Sequence, residues 1–110
     1  MPELPEVETI ARNLRPALVC RKVIATDLLW PRSLETPSPR QFQDRISGQT
    51  IRDTGRRGKF IILQLSTDHL LIHLRMSGDL RVEPDVGAVA AHDRLVFTLD
   101  NGTRLAFNDT

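Results

Sequence analysis

Leu95-Val96-Phe97-Thr98-Leu99-Asp100-Asn101-Gly102-Thr103-Arg104-Leu105-Ala106-Phe107 is the stretch that decides the fold. Two apolar runs flank Asn101-Gly102, a pair that takes up the backbone of a tight reversal at little cost, so the stretch reads as an antiparallel hairpin. The β pattern extends upstream through residues 51–54, 59–65, 69–75 and 79–83, with Gly55, Gly58, Gly78 and Gly87 in the intervals where turns are expected. Residues 86–91 are small and apolar and read as a mobile surface loop. Ahead of the strands, Val7, Ile10, Ala11 and Leu14 recur at helical spacing, with Pro5 near the first helical position and Glu6 and Glu8 in the first turn, where the dipole favours acid. Pro16 is expected to end or redirect this helix. Residues 23–29 read as a strand, and 30–39 as a Pro- and Ser-rich loop. Residues 40–46 read as a short helix with Phe42 and Ile46 on one face, stopped by Gly48. Many short strands with close-set turns predict a mainly β fold, a two-sheet antiparallel β-sandwich flanked by helices. There is no internal repeat.

Composition narrows the class. At 110 residues the chain is one domain (1–110), near the size at which core burial becomes marginal. Apolar residues make up 40% and charged residues 26%, ordinary for a globular domain, and the apolar runs are too short to span a bilayer. No signal peptide precedes the first helix. Cys20 is the only cysteine, which excludes an internal disulfide and a cysteine zinc site in these residues and fits a cytoplasmic location. His69, His73 and His92 lack metal-ligand spacing, so no metal site is expected here. The net charge of +1 does not announce a nucleic-acid binder. Arginine outnumbers lysine 13 to 2, which suits bidentate phosphate contacts but arises equally from GC-rich coding.

Chemistry concentrates in a few residues. Removal of Met1 would leave Pro2 with a free secondary amine, a nucleophile able to form a Schiff base at a carbonyl or sugar C1′ carbon. An α-amino group titrates about two units below lysine, so roughly a hundredfold more of it is reactive at neutral pH. Proline's own higher basicity would have to be lowered by its surroundings. Glu3 is placed to exchange protons with that amine. The plainer reading is that Pro2 and Pro5 only set up a helix start. Lys59, taken by itself, reads as a solvated strand-end charge. Met76 reads as a core gap-filler, and His73 as a satisfied core or edge histidine.

Met1-Pro2-Glu3-Leu4-Pro5-Glu6-Val7-Glu8-Thr9 resembles the amino terminus of the bacterial formamidopyrimidine-DNA glycosylases, which repair oxidised purines. The resemblance recurs in order at Arg57-Gly58-Lys59-Phe60, at His73-Leu74-Arg75-Met76-Ser77-Gly78, at His92-Asp93, and from Asn101-Gly102 to Asn108-Asp109-Thr110. Leu4 favours the oxidised-purine branch, because the related endonuclease VIII type usually has glycine there.

The resemblance implies the same sandwich and assigns roles. Pro2 is the nucleophile, Glu3 the proton donor, and Glu6 a hydrogen-bonding partner of the deoxyribose. Lys59 is catalytic beside the lesion phosphate. Met76 fills the space left by an extruded nucleotide, as an unbranched wedge can when a base must leave the stack. His92 contacts a phosphate. Arg94 stands in place of the family's second histidine and keeps a donor, while Arg56 and Arg57 hold phosphates or keep their loop soluble. Arg75 stands where many members have glycine. The implied partner is damaged double-stranded DNA, met by a monomer at the bacterial nucleoid. The family's helix-two-turn-helix and its zinc finger, with one structural zinc, belong to a carboxy-terminal part outside these residues. The implied activity is base excision with abasic-site lyase chemistry. A pyrimidine glycosylase of the endonuclease VIII type and a non-catalytic damage-binding module are the alternatives.

Overall fold

A computed structural model describes residues 4–30, 38–75 and 78–109. The chain orders as α1 (Leu4–Leu18), β1 (Val23–Leu28), α2 (Pro39–Ile46), β2 (Ile51–Arg57), β3 (Phe60–Leu65), β4 (His69–His73), β5 (Asp79–Pro84), β6 (Asp93–Leu99) and β7 (Thr103–Asn108). Two antiparallel sheets form, β1-β6-β7-β5 and β2-β3-β4, so the expected mainly β sandwich with flanking helices is what the chain adopts. The quoted hairpin is β6–β7. Its loop is Asp100-Asn101-Gly102, with Gly102 at φ +80° and its N–H on the Leu99 carbonyl. This is a turn closed by a left-handed glycine, the common three-residue hairpin connection.

Alternation fills the core. Ile61, Leu63 and Leu65 of β3 and Leu105 and Phe107 of β7 point inward, with Leu80, Leu95 and Phe97. Val7, Leu14 and Leu18 of α1 close the core from one side, and Phe42 of α2 meets Phe97 at 6.2 Å between ring centroids from another. Ser38 caps α2 through its side-chain oxygen on the Gln41 N–H, with Pro39 as the first residue.

Three expectations need correction. Pro16 does not end α1, which runs to Leu18. Pro16 and Arg12, whose carbonyl loses its partner, both face solvent, while Leu18 beyond them is fully buried and rewards continuation. Gly55 is not in a turn but lies within β2, opposite Ile62, because Arg56 and Arg57 carry the pairing on to Phe60. The reversal falls on Gly58-Lys59, with Gly58 at φ +58° as a tight hairpin with glycine first requires. β4 stops at His73 rather than at residue 75, since Arg75 takes a left-handed φ of +57°. Residues 86–91 are exposed as expected, yet they are tied down: Arg104 donates to the Ala88 carbonyl, Asn108 to that of Ala91, and the Ala90 N–H to Asp93.

Helix α1 is held along β2 by three polar links. Glu8 pairs with Arg56 at 3.1 Å, the buried Thr54 hydroxyl donates to the Ala11 carbonyl at 2.6 Å, and Arg15 reaches Asp53 at 2.9 Å and the Thr54 carbonyl at 3.0 Å. Rising numbers on the helix meet falling numbers on the strand, so the start of α1 lies at the β2–β3 turn. Thr54→Val keeps the shape and removes the central link. Its expected cost is about 1 kcal/mol, a Tm lower by roughly 5 °C, measured by thermal unfolding.

Candidate active site

Strand register gathers the separated motifs at one end of the sandwich. Phe60 pairs with His73, so the Gly58-Lys59 turn and the loop leaving β4 are neighbours. Asp79 and Asp93 both pair with Asn108, which brings the starts of β5 and β6 and the end of β7 together. Leu74, just after β4 in one sheet, and Gly78, just before β5 in the other, meet at this same end.

Arg56 joins the helix start to the turn. Its Nε bonds Glu8 of α1, and its Nη1 donates to the Gly58 carbonyl at 3.1 Å. Arg56 is therefore a tie within the chain, a role the sequence did not suggest. One guanidinium with a fixed fork of donors can hold helix and turn at once, which a lysine could not. Lys59 occupies the second position of that turn, half-buried, one residue before the strand it was expected to begin. Glu6 lies exposed in the first turns of α1. Pro2 and Glu3 lie outside the described residues, directly ahead of Leu4, where α1 begins.

The loop that contains Met76 is closed at its base. The Gly78 N–H donates to the Leu74 carbonyl at 2.7 Å, and a β-carbon on Gly78 would press into that carbonyl, so only glycine fits. His73 Nδ1 accepts the Arg75 N–H at 2.8 Å, and its ring stands edge-on to Phe60. His73 is thus an edge histidine with one nitrogen satisfied, and it orders the entry to the loop. Met76 and Ser77 themselves lie outside the described residues.

His92 is exposed, at φ +67°, ahead of an irregularity in β6 between Asp93 and Leu95. Its carbonyl accepts the Asp109 N–H at 3.0 Å. Arg94 sits with its guanidinium 4.1 Å from the Trp30 ring centroid, and its Nε donates to the Asp109 carbonyl. That Nε donor is thus engaged within the chain. Beside His92, the side chain of Asp93 is wholly buried and takes a two-pronged pair of bonds from Arg81, at 2.9 and 2.7 Å. Glu83 links Arg81 to Arg104. Burial acts to raise the Asp93 pKa, but hydrogen bonds from Arg81, Asn108 and the Ala90 N–H outweigh it and hold the carboxyl below its usual range. Bonds from Arg81 and then Arg104 lower Glu83 likewise, and Arg81 is raised in turn. Sequence reasoning missed this network. Arg81 and Glu83 alternate with Leu80 and Val82, a pattern that gives no sign of a charged network. The available signal was an aspartate directly after a motif histidine. Among the described residues no group of three His, Cys, Asp or Glu side chains could hold a metal ion. No described helix is long and apolar enough to cross a membrane.

Fold and site together define a β-sandwich domain whose first helix starts beside a lysine-bearing turn. The profile of the "Formamidopyrimidine-DNA glycosylase N-terminal domain" matches residues 1–110. Formamidopyrimidine-DNA glycosylases of Protochlamydia amoebophila and Chloroflexus aurantiacus are 41% and 49% identical to it, over 100% and 99% of this chain and 41% and 40% of their own lengths. The Lactococcus lactis enzyme, solved bound to DNA containing an abasic site, superposes with a TM-score of 0.91 at 34% identity, over 98% of this chain and 41% of that one. The same enzyme in complex with DNA containing a formamidopyrimidine deoxyguanosine matches equally well, with a TM-score of 0.91 over 97% of this chain and 40% of that one. The chain belongs to the formamidopyrimidine-DNA glycosylase family, as its amino-terminal domain. It spans about 40% of the length of these relatives.

The acidic network fixes a pH dependence. Asp93 and Glu83 have folded pKa values below their unfolded ones of roughly 3.9 and 4.3, so their contribution is complete above those values. It is lost as pH falls through the folded values. Stability is expected to drop on acidification below about pH 4. Asp93→Asn should lower stability at pH 7 by about 2 kcal/mol and flatten that acid limb, as read from urea titrations across pH.

Proposed function

We propose that the chain is the amino-terminal catalytic part of a DNA glycosylase with abasic-site lyase activity, which removes oxidised purines such as 8-oxoguanine and formamidopyrimidines from double-stranded DNA. The observation that carries this reading is the meeting, at one end of the sandwich, of the start of α1, the Lys59 turn, the Leu74–Gly78 contact and His92. Full coverage of the chain by the family supports it. The relatives' shared name and Leu4 favour the oxidised-purine branch over the endonuclease VIII type.

The damaged nucleotide is extruded, and Met76 fills its place in the stack. The Pro2 nitrogen bonds to C1′ as the bond from C1′ to the base breaks, and the base leaves with a proton. Glu3 protonates the opening sugar or the departing base, and Glu6 hydrogen-bonds the deoxyribose. The resulting iminium makes the C2′ proton acidic, so β-elimination and then δ-elimination expel the two phosphates. Lys59 stabilises the phosphate charge and assists proton transfer in these steps. His92 holds a flanking phosphate. The remainder of the protein supplies a helix-two-turn-helix and a zinc finger with one structural zinc, which complete the DNA grip. The enzyme acts as a monomer on the bacterial nucleoid, in the cytoplasm.

Borohydride is expected to trap the full-length protein covalently on abasic duplex DNA, as read on a denaturing gel. Retention of Met1 should abolish trapping without changing the fold. Met76→Ala should slow lesion processing in duplex at least tenfold while leaving single-stranded abasic DNA little affected, because unstacking is cheapest there. Absence of any cross-link with a free Pro2 would overturn the reading in favour of a non-catalytic damage-binding module.

A further inference from the structure

We infer that Asp93 is a positioning residue for His92: the buried Asp93–Arg81 pair fixes the backbone that presents the His92 imidazole to a DNA phosphate. This rests on the reading of His92 as a phosphate contact. At φ +67° His92 occupies the left-handed region, which a residue with a β-carbon holds only where its surroundings dictate it. Those surroundings lie on both sides of the residue. The Asp93 carboxylate draws together three segments: Arg81 of β5, Asn108 of β7 at 2.9 Å, and the Ala90 N–H of the preceding loop at 3.1 Å. On the other side, the Asp109 N–H holds the His92 carbonyl. The irregular register between Asp93 and Leu95 is the kind of bulge that re-aims a side chain.

The imidazole itself is left for a ligand. His92 is exposed, and among the described residues no side chain hydrogen-bonds its ring. A buried ion pair adds little stability over an apolar replacement, so its value lies in what it orients. Here it orients the residue next to it. The His92 carbonyl at the same place holds the N–H of Asp109, the residue directly after β7.

The test is a double-mutant cycle in the full-length protein, reading the Kd for a duplex with a non-cleavable tetrahydrofuran abasic analogue by fluorescence anisotropy at fixed salt. His92→Ala and Asp93→Ala should each weaken binding about tenfold, the worth of one hydrogen bond to a charged group. The double variant should be weakened by the same factor of about ten, not a hundred, because both changes lose one contact. The single-turnover trapping rate of Asp93→Ala at saturating protein should stay within about twofold of the parent, which a general loss of structure would not allow. Should Asp93→Ala fail to fold, Asn108→Ala serves instead, with a smaller loss that likewise vanishes in the His92→Ala background. An additive loss, or normal binding by Asp93→Ala while His92→Ala is weak, overturns the inference and leaves the His92 assignment standing. Normal binding by His92→Ala removes both.

Discussion

The structure depends on the locking of α1 onto β2. Glu8, Ala11 and Arg15 meet Arg56, Thr54 and Asp53 in an antiparallel series, and the middle link is fully buried. Apolar packing by Val7, Leu14 and Leu18 would hold the helix on the sandwich without fixing where along the strand it sits, since burial is non-directional. The polar series supplies that register. It sets the first turn of α1 against the turn that carries Lys59, and Arg56 then bonds the turn itself. Under the proposed chemistry such a tie matters, because reactive groups lose rate steeply with misplacement.

Much of this fold was legible from the sequence. Alternating apolar residues and Asn101-Gly102 disclosed the strands and the hairpin, and helical spacing from Val7 to Leu14 disclosed α1. What was not legible depended on tertiary context. Pro16 reads as a stop, but the reward for burying Leu18 comes from strands far along the chain. Gly55 reads as a turn, but ladder pairing with Ile62 absorbs it. The network of Arg81 and Glu83 was not legible because alternation cannot foresee that the segment before β6 is tied to Arg104 and Asn108 of β7. For the candidate site, the motifs singled out Lys59 and His92, while the bonds of Arg56 to the Gly58 carbonyl and of Asp93 to Arg81 depend on tertiary contacts that no motif discloses.

The arginines illustrate the same division. Arg12, Arg15, Arg21, Arg45, Arg56, Arg81 and Arg104 all form ion pairs within the described residues. An arginine-rich composition therefore serves largely to pin helices, loops and strand ends rather than to build a basic surface, in keeping with a net charge of +1. Under the proposed function, DNA affinity in this part of the protein would rest on a few placed groups rather than on a broad electrostatic field.

The most direct measurement is the site of the covalent bond itself. After borohydride reduction of the full-length protein on abasic DNA, protease digestion and mass spectrometry would locate the sugar remnant on a peptide. It is expected on the amino-terminal peptide beginning at Pro2, with the peptides that contain Lys22 and Lys59 unmodified. A remnant on Lys59 would contradict the assignment of the helix-borne terminal amine as the nucleophile.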